Sequence, residues 1–125
     1  MPLLAALTLW LLPRRDESTA GTAIPGTEPG PVVEVLNGTR VDGLARNTTW
    51  RLRGAGIDVV YFGMSAFEDL DTTRIVVRRG DPAVAIPIRE ALGVGSVIVE
   101  PDSLLLLDVT VIAGHDLATA LGLRP

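Results

Sequence analysis

Between Val32 and Ala113 the sequence runs twice through a short β-branched stretch, a helix-length segment and a second β-branched stretch. That alternation constrains the fold more than any other feature, because it calls for a sheet with crossover helices. Residues 32–36 read as a first strand, closed by the turn pair Asn37-Gly38. Residues 42–55 carry helical spacing, with Leu44, Ala45, Thr48, Leu52 and Ala55 on one stripe. Asp42 is the expected N-cap, and Gly54 and Gly56 bracket the C-terminal end. Residues 57–62 form a second strand, 63–72 an acidic loop and 73–78 a third strand. Asp81-Pro82 supplies the cap and first turn of a second helix that Gly93 stops. Pro87 within it predicts a kink or a restart. Strands at 96–100 and 108–113 follow, then a helical turn over 115–121. The order β-α-β-β-α-β-β predicts an α+β two-layer sandwich, a ferredoxin-like sheet with both helices on one face. A sheet with a helix on each face is the alternative.

Upstream lies a different kind of sequence. Residues 3–12 are one apolar run ended by Pro13, Arg14 and Arg15. As a helix it is roughly 15 Å long, about half the hydrocarbon core of a bilayer. Residues 1–13 therefore read as a signal sequence, a truncated membrane anchor or an interfacial segment. Residues 14–31 are rich in Pro, Gly, Ser and Thr without apolar periodicity, the composition of a linker. The folded domain is expected over 32–121, enough for one modest core.

Composition narrows the chemistry. The chain has 125 residues, no cysteine and a single histidine, His115. Disulfides, thiolate metal sites and cysteine nucleophiles are excluded, and multi-histidine metal sites with them. No cofactor is expected. The net charge of -4 argues against nucleic acid, whose phosphates call for a basic face. Every cation is arginine, a permanently charged planar fork.

Two groups of residues are candidate binding positions. Trp50 falls opposite the apolar stripe of the first helix, near Arg46 and Arg53. An outward tryptophan beside arginines stacks on a sugar ring or anchors a partner, or else lies over the surface along an arginine stem. Asn37-Gly38-Thr39 reads as an anion-binding turn with free N–H groups, or as a turn that redirects the chain, Gly38 supplying a positive φ. Other features have plainer readings. His115 and Asp116 suit a capping or surface role. Glu68, Asp69 and Asp71 suit a solvated loop, since they lack calcium-loop spacing. Arg78 and Arg79 read as strand-edge charges, with phosphate binding as the alternative. Leucines 104–107 are expected in the core, whereas an exposed patch there would mark a docking surface.

The string Val33-Glu34-Val35-Leu36-Asn37-Gly38-Thr39, then Gly43-Leu44-Ala45, Leu52 and the turn at Gly56, resembles the start of the LytR C-terminal domain. That domain is the accessory module of LytR–CpsA–Psr cell-envelope proteins. The similarity continues through Thr73-Arg74-Ile75-Val76, Arg78, Gly80 and Glu90-Ala91-Leu92-Gly93. It ends with Asp108-Val109-Thr110-Val111-Ile112 and Gly114-His115-Asp116. Pro87 departs from the family's continuous helix, and His115 stands where a basic residue is common. The resemblance implies a non-catalytic module of the cell envelope, membrane-anchored or secreted, that binds a protein partner or a cell-wall glycan. In the family the domain often follows a catalytic domain that transfers glycopolymer phosphates, and that activity is not expected of these 125 residues. A hydrolase or transferase of the envelope, or a small transcription-related regulator, are the competing classes.

Overall fold

The computed structural model describes residues 30–66 and 69–124. The N-terminal segment 1–13 and nearly all of the expected linker lie outside the described residues. The elements are β1 (Val33–Asn37), α1 (Leu44–Gly54), β2 (Val59–Met64), β3 (Arg74–Val77), a 3-10 turn (Pro82–Val84), α2 (Ala85–Leu92), β4 (Ser96–Val99), β5 (Val109–Ala113) and α3 (His115–Ala120). The chain is a mixed α+β domain built on one five-stranded sheet and three helices. None of the described helices is long and apolar enough to cross a membrane.

The strand order is β2-β1-β5-β3-β4. Parallel pairs join β1 to β2, β1 to β5 and β3 to β4, while β3 runs antiparallel to β5. This departs from the ferredoxin-like sheet expected above. There each βαβ unit is split by an intervening strand; here both units keep their strands side by side, and β5 stitches them together. The reason lies in β5 itself. Val109-Thr110-Val111-Ile112-Ala113 is buried at every position, as suits a strand covered on both faces.

Alternation along the strands sorts residues to the two faces. Val33 and Val35, Ile75 and Val77, and Val109, Val111 and Ala113 enter one apolar cluster. Leu44 and Leu52 of α1, Ile88 and Leu92 of α2, and Leu117 of α3 complete it. All three helices thus feed one core. A smaller cluster of Leu70, Val76 and Ile112 lies apart from it.

Local rules explain most boundaries. Asp81 accepts from the N–H of Ala83 at 2.8 Å, and Gly93 ends α2 at φ 79°. Pro87 sits in the first turn of α2, where its missing N–H removes no intrahelical bond. The helix restarts ahead of it, after the 3-10 turn. The expected cap at Asp42 is corrected. The chain enters α1 through Gly43 in the left-handed region, and no side chain caps that end. Asp42 stays exposed because the αL entry leaves it outside the cap position.

One core position is unsatisfied. Thr48 of α1 is fully buried, yet its Oγ1 finds no partner among the described residues. Thr48→Val is therefore expected to raise the unfolding free energy by about 1 kcal/mol, read as a higher urea midpoint with an unchanged slope.

Candidate functional site

The unit β1-α1-β2 builds one flank of the molecule. Leu44, Ala45, Thr48, Thr49 and Leu52 of α1 are buried, which turns Arg46, Trp50 and Arg53 outward at spacings of four and three residues. Trp50 is 60% exposed. Arg53 is held in place, its Nη2 donating to the Val59 carbonyl at 2.7 Å. That bond ties the outer face of α1 to the start of β2.

β2 is an edge strand, and its side chains continue the same surface. Val60, Tyr61, Phe62 and Met64 are all exposed, Met64 to 66%. No charge interrupts residues 59–64, although charges are the usual protection of an edge. The register places Val33 opposite Val59 and Glu34 opposite Tyr61, so Val60 is an extra, bulged residue. The Tyr61 side chain lies over Gly63, where a Cβ would stand 2.6 Å from the phenol oxygen. Between helix and strand, a cavity of about 230 Å³ is lined by Asn37, Gly43, Ala45, Arg46, Phe62, Gly63 and Met64. The result is an apolar belt with Arg46 and Arg53 on its helical side.

The structure brings some of the expected residues together and separates others. Asn37 and Arg46 share that cavity, and Trp50 and Arg53 extend the face beyond it. Gly38 and Thr39 belong to the turn. Asn37 Oδ1 accepts from the Thr39 N–H and from the Thr39 hydroxyl, each at 2.8 Å. Asn37 Nδ2 donates to the Val41 carbonyl at 2.9 Å, and the Val41 N–H donates to Thr39 Oγ1 at 3.0 Å. The Gly38 N–H donates to the Ala113 carbonyl. The N–H groups of Gly38, Thr39 and Val41 are thus all spent internally. Gly38 is not in the left-handed region either. A Cβ there would meet Ile112 Cγ2 at 2.9 Å and the Ala113 carbonyl at 3.0 Å, so close approach of β5 requires the glycine.

Elsewhere the charged groups pair off. His115 Nε2 lies 2.8 Å from Asp69 Oδ1, while Asp116 accepts from the N–H and hydroxyl of Thr73. The two neighbours point to different partners. Among the described residues no three His, Asp or Glu side chains converge as a metal site; Glu68 lies outside the described residues. Arg78 pairs with Glu100 at 2.9 Å, and Arg79 donates to the Leu105 carbonyl at 2.6 Å. Both line a cavity of about 580 Å³ with Val99, Pro101 and Leu106. Core burial of leucines 104–107 is corrected. Leu104 is 89% and Leu106 86% exposed, alternating with half-buried Leu105 and Leu107. The strand starts only at Val109, so these leucines belong to a loop.

Sequence reasoning missed Val60 and Phe62 as surface residues and placed Met64 in the following loop, whereas the strand runs through Met64. An unbroken apolar strand reads as interior, and only the strand order shows this one to be an edge.

The family model described as LytR cell envelope-related transcriptional attenuator matches residues 31–117. No curated protein matches the chain. The solution structure of the C-terminal domain of RV0431 is similar at 21% identity, over 81% of this chain and 85% of that one, with a TM-score of 0.45.

Proposed function

The chain belongs to the LytR C-terminal family of cell-envelope-related proteins, and on that premise we propose that it is a non-catalytic module that holds a protein partner along its β2 edge. The observation that carries the reading is that Arg46, one helical turn before the exposed Trp50, shares a cavity with the exposed Phe62 and Met64 of an edge strand. An extended segment of the partner adds to β2 through main-chain hydrogen bonds, and its side chains meet the apolar belt. Arg46 and Arg53 favour an acidic flank on that segment. The domain works outside the cytoplasm, with residues 1–13 as its signal or anchor. A hydrolase or transferase reading has less support, because among the described residues His115 is engaged with Asp69, Asp116 with Thr73 and Arg78 with Glu100.

Immobilised full-length protein is offered solubilised envelope proteins and, separately, purified peptidoglycan. Trp50→Ala is expected to weaken protein retention about 30-fold, the effect of losing a tryptophan hot spot. Met64→Lys, which charges the edge, is expected to do the same, with circular dichroism unchanged in both. Retention equal to wild type in both variants would remove the β2 edge from the account. Trp50-dependent binding to peptidoglycan alone would make the ligand a cell-wall glycan.

A further inference from the structure

We propose that the loop bearing Leu104 and Leu106 is a lipid-surface contact that seats one pole of the domain on a bilayer. Its two leucines stand two residues apart and are almost wholly in water. Two protruding leucines of this exposure are a transfer free energy waiting for an apolar phase. The base beneath them is fixed. The Leu104 N–H donates to Asp102 Oδ1 at 3.0 Å, the Asp102 N–H to the Arg78 carbonyl at 3.1 Å, and Arg79 Nη2 to the Leu105 carbonyl. The side chains are therefore presented outward by a bonded scaffold.

The occupant is argued from where the chain enters the domain. The Val32 N–H donates to Asp108 Oδ2 at 2.7 Å, and the Asp108 N–H to the Val32 carbonyl at 2.8 Å. The chain thus joins the sheet at the root of this loop, on the pole formed by the start of β1 and β5 and the ends of β3 and β4. Upstream of that junction the sequence carries the apolar run at 3–12 followed by Arg14 and Arg15. Fully extended, residues 13–29 span at most about 60 Å, so a bilayer that takes up the run lies within reach of Leu104 and Leu106.

Charge decides the kind of lipid contact. Glu100 is paired with Arg78 and Asp108 with Arg79 at 3.7 Å, while Asp81 and Asp102 accept from backbone N–H groups. The pole has no excess of cations. This pole carries four carboxylates against two arginines, so contact is made by apolar insertion and is weakened by anionic headgroups. With this pole on the bilayer the β2 edge stands upright from the membrane, open to a partner.

The absence of cysteine makes the test clean. Full-length protein carrying Ser103→Cys or Ala66→Cys is labelled with an environment-sensitive fluorophore; Ala66 lies past the far end of β2. Phosphatidylcholine vesicles, with and without phosphatidylglycerol, are then added. The label at 103 is expected to shift to the blue and to be quenched by bromine-labelled acyl chains, more strongly with phosphatidylcholine alone than with phosphatidylglycerol present. The label at 66 stays as in buffer. Leu104→Ser with Leu106→Ser lowers vesicle partition about tenfold, as half-burial of two leucines implies. Vesicle flotation with an unchanged signal at 103 overturns the proposal, and so does failure to float. A label at 103 already blue-shifted before lipid, and unmoved by it, also overturns it: the leucines are then covered by this chain's own apolar run or, where the shift depends on concentration, by a second copy.

Discussion

Gly114→Ala is expected to lower the unfolding free energy by about 3 kcal/mol, the upper range for forcing a methyl group into a packed site. The backbone at Gly114 is extended, so conformational freedom is not the issue. Space is. A Cβ there would stand 2.8 Å from the Thr72 carbonyl carbon, 2.9 Å from the Thr73 nitrogen and 3.0 Å from the Leu70 carbonyl. All three are main-chain atoms of the segment that crosses the end of β5. A flexible side chain would swing aside, whereas this segment is pinned. The His115 N–H donates to the Leu70 carbonyl at 2.8 Å, and the Asp116 N–H to the Asp71 carbonyl at 3.0 Å. Thermal unfolding should show the loss as a fall of about 10–20 °C. Gly54→Ala is the control. It sits at the end of α1 with nothing within 4 Å of the added carbon, and is expected to be neutral or mildly stabilising. Equal stability of Gly114→Ala and wild type would show that the crossing segment does not pack as described.

The second large effect is expected at Asp116→Ala, a loss of about 3 kcal/mol. Asp116 Oδ1 accepts from the Thr73 N–H at 2.9 Å, the Thr73 hydroxyl at 2.7 Å and the Leu117 N–H at 2.7 Å. The same hydroxyl accepts from the Gly114 N–H at 2.9 Å. A relay therefore runs from the end of β5 through the start of β3 into α3. Removing the carboxylate leaves donors of a buried threonine without their acceptor. Bonds to an ionised acceptor are about twice as strong as neutral ones. Asp116→Asn keeps an acceptor oxygen and should lose about half as much. Chemical denaturation distinguishes the two, and equal losses would show that packing, not the relay, sets the cost.

Both predictions fall on residues that read as incidental in the sequence. Gly114 is one glycine after a strand, and its need for space appears only where residues 70–73 cross it. Asp116 reads beside His115 as a capping or surface residue, and its reach across to Thr73, while His115 meets Asp69, appears only in the fold. Trp50 is the opposite case. The stripe of Leu44, Ala45, Thr48 and Leu52 already turns it outward, because a helix of known period has one buried face.

Local signals were enough for the element order, the Asp81 cap, the Gly93 stop and the outward face of α1, since each depends on neighbours within a turn of chain. The strand order, the exposure of the β2 edge and the height of Leu104 and Leu106 above the surface were decided by the tertiary structure. Backbone pairing carries no residue code of its own, so an apolar strand such as β2 and one such as β5 look alike until their neighbours are known. Which of the two meets water follows from how the β-α-β units join, and that choice creates the surface on which function is proposed.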